Sequence, residues 1–228
     1  EACPGVPYNI GMLPIGDDNR TRHRAPLVTV VVIGVNVLIF LGQLSFGDGF
    51  TIEWSVVPRR LLTEPLTQWV TVFSAMFMHA GLAHIGGNLL YLWIFGDNVE
   101  DRLDHWLFVG FYLFCGVAAT VAQVLVDPGS NIPLLGASGA LAGVLGAYLV
   151  LFPQQRVLVL FGFRTIPVPA VIVIGVWFVL QLFGGVGQLG ATGGGGVAYM
   201  AHLGGFIAGL VAALPFRASR RADPSLYS

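Results

Sequence analysis

Ser138 stands in the run Gly136-Ala137-Ser138-Gly139-Ala140, and His202 in Ala201-His202-Leu203-Gly204-Gly205, each at the opening of an apolar stretch. A serine hydroxyl is a weak nucleophile until a base takes its proton, so a serine and a histidine brought together point to acyl transfer. His84 and Asn88, four residues apart, lie on one face of a helix and are candidate donors to a developing oxyanion. A helix start at Ser138 adds backbone N–H groups without intrahelical partners. Taken singly these residues have plainer readings: an intramembrane histidine or asparagine as interhelical glue, a glycine-rich stretch as a packing seam. Together they are four polar groups in apolar surroundings that can satisfy one another.

The elements that must position them are membrane helices. The 228 residues are 55% hydrophobic and only 10% charged, with a mean hydropathy of +0.78, against roughly 25% charged residues in ordinary soluble domains. There is too little polar surface to clothe a water-soluble globule. A net charge of -1 provides no basic field for nucleic acid. Cys3 and Cys115 have neither disulfide-framework nor metal-ligand spacing, and no cofactor or metal is expected.

A bilayer core of about 30 Å needs about 20 apolar residues in a helix. Leu27 to Leu44 meets this as a first span. Gly47 to Thr67, with Pro58, Arg59, Arg60, Glu64 and Pro65, reads as a long external loop, with Trp54 and Trp69 suited to an interface. The next apolar stretch runs from near Trp69 to Phe95, and its His79, His84 and Asn88 must face protein or water. Asp97 to His105 reads as a short acidic turn and Trp106 to Val126 as a third span, broken by Asp127, Pro128 and Gly129.

Ser138 to Phe152 is too short for the hydrocarbon core at 1.5 Å per residue, so the loop before it should dip inward, shielded by protein. A fifth span is expected over Ile166 to Phe183, then a glycine-rich loop, then a sixth over Val197 to Pro215. The fold class is thus an all-α membrane protein of six transmembrane helices with a long first external loop. Its domain covers residues 27–216, between a cytoplasmic N-terminal segment, 1–26, and a cytoplasmic tail, 217–228.

Arginine sorts the loops. Arg20, Arg22, Arg24, Arg102, Arg156, Arg164, Arg217, Arg220 and Arg221 fall on one side, and Arg59 and Arg60 on the other, which puts both termini in the cytoplasm. The fourth and sixth spans then begin on the same side and run parallel. Ser138, Ala142 and Gly146 form one small-residue ridge, joined by Gly139 and Gly143, and Ala201, Gly205 and Gly209 form another; their close approach would bring hydroxyl and imidazole together. Residues 1–11 lack the pattern of a signal peptide, and Met12 reads as the natural start.

With these residues in view, the chain resembles the rhomboid family of intramembrane serine proteases. Gly136-Ala137-Ser138-Gly139 resembles its GxSG motif, Ala201-His202 with Gly205 and Gly209 its AHxxGxxxG, His79-Ala80-Gly81 with His84 and Asn88 its HAGxxHxxxN, and Gly96 with Glu100 its GxxxE. The resemblance implies a six-helix rhomboid-like core with a Ser138–His202 dyad and no acidic third member. It implies an oxyanion hole of His84, Asn88 and the backbone at Ser138, next to Gly136. It further implies single-pass transmembrane substrates cut beside a small residue, in contact with membrane lipid; the oligomeric state is left open.

A bacterial plasma membrane is the expected location. Three departures stand out: Ala142 replaces an aromatic residue that packs under the histidine ring in many members, Asp104 replaces a frequent glycine, and a Trp-Arg pair in the first loop is missing. An inactive relative that binds membrane clients is the principal alternative, but such relatives usually lack the serine or the histidine. A small transporter is a second alternative, disfavoured by the absence of an internal repeat and of an intramembrane carboxylate.

Overall fold

The computed structural model describes residues 12–17, 22–188 and 198–217. Cys3, Arg20, Arg220, Arg221, the segment 1–11, most of the glycine-rich loop and most of the 217–228 tail lie outside the described residues. In chain order the elements are β1 (Met12–Asp17), α1 (Leu27–Phe46), and four short helices α2 (Asp48–Glu53), α3 (Pro58–Thr63), α4 (Pro65–Gln68) and α5 (Thr71–Ser74). Then come α6 (Leu82–Tyr91), a π turn (Leu92–Gly96), α7 (Asp97–Leu103), α8 (His105–Val126) and α9 (Ser138–Leu151). The hairpin β2 (Arg156–Phe161) and β3 (Arg164–Pro169) leads into α10 (Ala170–Gln188) and α11 (Tyr199–Ala213).

The protein is a mostly helical membrane protein. By length and composition α1, α8 and Tyr199–Arg217, which is α11 with its 3-10 extension, can each cross a bilayer; α9 and Ala170–Phe183 are shorter apolar helices.

α9 is the centre of the bundle, because Gly139 through Tyr148 are all buried. Its small residues allow neighbours to close in from two sides. A Cβ on Gly205 of α11 would collide with the carbonyl oxygen of Gly139, and one on Gly209 with that of Gly143. Contacts that advance together along both helices mean that α9 and α11 run parallel, as the arginine distribution implies. Ala119 and Cys115 of α8 meet Gly139 and Gly143 in descending order, so α8 is antiparallel to both.

The all-α expectation is corrected by a three-stranded antiparallel sheet of order β1-β2-β3. In β2 the burial alternates: Val157 and Val159 are buried while Leu158 and Phe161 are exposed, the period of two that marks a half-buried strand. Gly162, with φ +61, turns the chain back. The fifth helix accordingly starts at Ala170 and not at Ile166, since Arg164–Pro169 is spent pairing with β2. A short apolar run next to a helix has no periodicity of its own to separate it from that helix.

Three further expectations change. Pro58 and Pro65 sit in the first turns of α3 and α4, where proline is preorganised, so the first loop is a string of short helices. The Trp69–Phe95 stretch is no single helix, because extended backbone at Met78 and Gly81 separates the 3-10 turn Ala75–Phe77 from α6.

The acidic stretch after Gly96 is the helix α7, whose Asp97, Asn98, Glu100 and Asp101 are buried. Their partners explain it. Glu100 accepts from the backbone N–H of Val28 and of Thr29, both 2.8 Å, and from the Thr29 hydroxyl at 2.7 Å, capping α1, while His105 Nδ1 lies 2.6 Å away. A carboxylate at a helix start also complements the macrodipole. Arg22 pairs with Asp97 at 2.8 Å, and Asp101 accepts from the backbone of His23 and Arg24. Glu100→Ala strands two buried amides and a hydroxyl, and should destabilise the fold by about 2–4 kcal/mol; a thermal melt in detergent would read this as a lowered midpoint.

The loop entering α9 is exposed at Asp127–Gly129 and Asn131–Ile132 and half-buried from Pro133 to Gly136, where its backbone is tied to the first-loop helices. Leu134 and Val56 exchange backbone hydrogen bonds at 2.7 and 3.1 Å, Gly136 N–H donates to Ala75 at 2.8 Å, and Arg59 N–H donates to Ser130 at 3.0 Å. Backbone that cannot reach water is thereby paired to the first-loop helices. Arg22, Arg102, Arg156, Arg164 and Arg217 gather at the opposite end, where Arg102 donates to the carbonyls of Phe216 and Arg217. β1 joins that end through Asp17, which accepts from Tyr148 at 2.7 Å and from Asn98 at 2.6 Å.

Candidate active site

α9 and α11 begin side by side, and their first turns carry the two reactive groups. Ser138 Oγ lies 2.7 Å from His202 Nε2, a direct hydrogen bond. His202 is 8% exposed, while Ser138 is only partly buried, so the imidazole is fixed in the bundle and the hydroxyl is reachable. The glycine ridges set this distance, since Gly139, next to Ser138, meets Gly205, about one turn after His202. Gln123 of α8 accepts from the Ala201 N–H at 3.2 Å, which occupies one of the otherwise orphaned amides at the start of α11.

Gly136 has φ +124, a conformation that L side chains rarely adopt, and a Cβ there would fall 2.8 Å from the His84 ring and 3.5 Å from Ser138 Oγ. Glycine is required on both counts. His84 therefore comes to the same corner as Ser138, on α6; its Nδ1 accepts from the Ala80 N–H at 3.3 Å, and its ring packs edge-on against His79 with centroids 5.1 Å apart.

Asn88, one turn further along α6, is 7% exposed, and its Nδ2 has no hydrogen-bond partner among the described residues. A buried donor left unpaired costs about 1–3 kcal/mol. Such a cost is common where a group awaits a ligand. A small cavity of about 40 Å³ adjoins Ser138, lined by Gly136, Gly139, Ala75, Met76 and Ala201.

The structure thus brings together Ser138, His202, His84 and Gly136, and seats Gly139, Gly143, Gly205 and Gly209 in the α9–α11 seam. Asn88 lies on the same face of α6 as His84 without a contact to Ser138. Three residues at or beside this site carry no motif. Gln181 of α10 places Oε1 2.7 Å from His202 Nδ1, and Trp177 lies with its ring centroid 5.9 Å from that of the imidazole. Gln43 of α1 holds the backbone of His79 at both ends, accepting from its N–H at 2.9 Å and donating to its carbonyl at 3.0 Å.

The sequence carries one signal for both glutamines. Each is an amide in a largely apolar helix, and such a residue must find a partner. Ala142 is fully buried, and the aromatic neighbour of the imidazole comes from α10 instead.

The match to the Rhomboid domain covers residues 66–219. Over 213 residues the chain is 31% identical to Rhomboid protein 1, mitochondrial, of Saccharomyces cerevisiae, covering 91% of this chain and 58% of that protein. It is 29% identical over 195 residues to Rhomboid protease GluP of Bacillus subtilis, covering 84% of this chain and 35% of that protein. With Rhomboid-like protein 11, chloroplastic, of Arabidopsis thaliana, it shares 31% identity over 127 residues, 56% of this chain and 43% of that protein. The chain spans less than two thirds of the length of each of these relatives.

Proposed function

We propose, since this chain belongs to the rhomboid family, that it is an intramembrane serine endopeptidase cutting transmembrane protein substrates through Ser138 and His202. The observation that carries this reading is the 2.7 Å contact between Ser138 Oγ and His202 Nε2, with Gln181 on the other nitrogen of the imidazole. In the first step Ser138 Oγ attacks the scissile carbonyl carbon while Nε2 takes its proton. The carbonyl oxygen gathers negative charge and receives hydrogen bonds from the start of α9, with His84 and the unpaired Asn88 amide as side-chain donors. The imidazolium then gives its proton to the leaving amine. Water, activated by the same imidazole, frees Ser138 from the acyl-enzyme. This chemistry asks for no metal or cofactor.

The substrate is a single-pass transmembrane protein whose helix opens locally, because peptide carbonyls in an intact helix are hidden in hydrogen bonds. By the family resemblance, cleavage falls next to a small residue, and the small cavity of about 40 Å³ beside Ser138 is consistent with it. The protease domain is residues 27–216, with six membrane crossings: α1, the stretch from α6 through α7, α8, α9, α10 and α11. Ser138 lies toward the outer face, and both termini are on the arginine-rich cytoplasmic side. The relatives are named mitochondrial and chloroplastic as well as coming from a bacterium, so the similarity does not favour the expected bacterial plasma membrane over an organelle membrane.

The test is fluorophosphonate labelling of detergent-solubilised protein. Wild type should react, and Ser138→Ala and His202→Ala should not. Folded wild type that fails to react, beside a rhomboid protease that does, overturns the assignment in favour of a client-binding relative.

A further inference from the structure

His202 is held from a third helix. Its Nε2 faces Ser138, and its Nδ1 lies 2.7 Å from Oε1 of Gln181, on α10. The same helix brings Trp177, one turn earlier, to a ring-centroid distance of 5.9 Å from the imidazole. Trp177 and Phe178 also stack on Phe206, at 6.3 and 4.6 Å, so α10 is docked on α11 directly beside the histidine.

A neutral imidazole carries one proton on one of two nitrogens. Only the form with Nδ1–H and a bare Nε2 can take the serine proton. Nothing in a Ser–His pair by itself selects that form, because Nε2–H donating to Ser138 Oγ also makes a hydrogen bond. In this structure Gln181 turns its amide oxygen, and not its NH2, toward Nδ1, and an oxygen there can only accept, which favours that form. Gln181 is the one polar side chain in Ala170–Phe183, so its place opposite Nδ1 is specific to that position on the helix.

We infer that Gln181 is a positioning residue of this site: it accepts the Nδ1 proton of His202, fixes the tautomer that leaves Nε2 basic, and with Trp177 sets the ring toward Ser138. The inference rests on the protease reading above. Gln181 occupies the third place of a triad with a neutral amide, so it orients the imidazole without the full charge stabilisation that a buried carboxylate supplies.

The test uses the full chain in detergent with Gln181→Met, which keeps length and removes the acceptor, and Gln181→Glu, which keeps the acceptor. Cleavage of a transmembrane substrate should fall about 10- to 100-fold in kcat for Gln181→Met, with KM within about twofold. Gln181→Glu should stay within about threefold of wild type. The imidazole 15N shifts of His202, recorded in a Ser138→Ala background so that they do not depend on activity, should show a protonated Nδ1 with native Gln181 and with Gln181→Glu. Gln181→Met should populate the Nε2–H form.

A Gln181→Met enzyme with wild-type kcat, or an unchanged tautomer, overturns the inference. So does a Gln181→Glu enzyme as impaired as Gln181→Met, which would mean that Gln181 only packs. Failure of the protease reading looks different: cleavage that survives Ser138→Ala and His202→Ala overturns both, whatever the Gln181 variants do.

Discussion

Ser138→Ala, His202→Ala and the double variant should lose peptide cleavage to the same depth. A nucleophile and its base act as one unit, so removing either leaves the other with nothing to do; single losses on the order of 10⁴- to 10⁶-fold should not multiply. The basis here is the direct Oγ to Nε2 hydrogen bond and the burial of the imidazole, which makes it the base in contact with the hydroxyl. Turnover of a transmembrane substrate in proteoliposomes, measured for all four proteins, checks this. Double-variant activity far below either single would mean that the two residues contribute independently, and would remove the dyad.

A second large effect is expected from one methyl group that touches neither reacting side chain. Gly205→Ala puts a Cβ against the carbonyl of Gly139, backbone against backbone, where no flexible side chain can give way. The two helices must separate, at about 1–3 kcal/mol of overpacking strain. The site suffers more than the fold, because Ser138 is next to Gly139 and His202 is about one turn from Gly205 on the same two helices. A displacement of about 1 Å at a reacting pair costs about a hundredfold in rate. Gly205→Ala should therefore lose about 10- to 100-fold in kcat, with its melting point lowered by only a few degrees. Gly110→Ala on α8, where a Cβ meets nothing within 4 Å, is the matched control and should change neither. Equal activity in the two variants would show that the seam tolerates expansion.

Much of this architecture is legible in the order of the residues. The apolar content requires a membrane, the short apolar segment after Ser138 requires a protein-covered loop, and the glycines at 139, 143, 205 and 209 require two helices in backbone contact. Each follows from a local property: transfer cost, helix rise per residue, or the missing Cβ. The arginine distribution then implies parallel α9 and α11, because topology in a membrane has only two directions.

Sequence misleads where local pattern is silent. Arg156–Phe161 and Arg164–Pro169 are apolar enough to belong to a helix, and only pairing with each other and with β1 makes them strands. Asp97 to Leu103 reads as a polar turn because burial of its four polar side chains is unfavourable until partners from β1, from α1 and from the approach to α1 arrive, 71 to 81 residues away in sequence.

Ser138, His202, His84 and Asn88 can be named from sequence because their chemistry and their spacing within a helix are carried by the chain itself. Gln181 and Gln43 cannot be assigned roles in that way, since an amide in an apolar helix says only that it needs a partner and not which one. The residue types determined what reaction the protein could support and in which solvent. The tertiary structure decided which nitrogen of His202 faces Ser138, which acceptor holds the other, and how closely two helices approach. Those are distances between atoms far apart in sequence, and packing alone sets them.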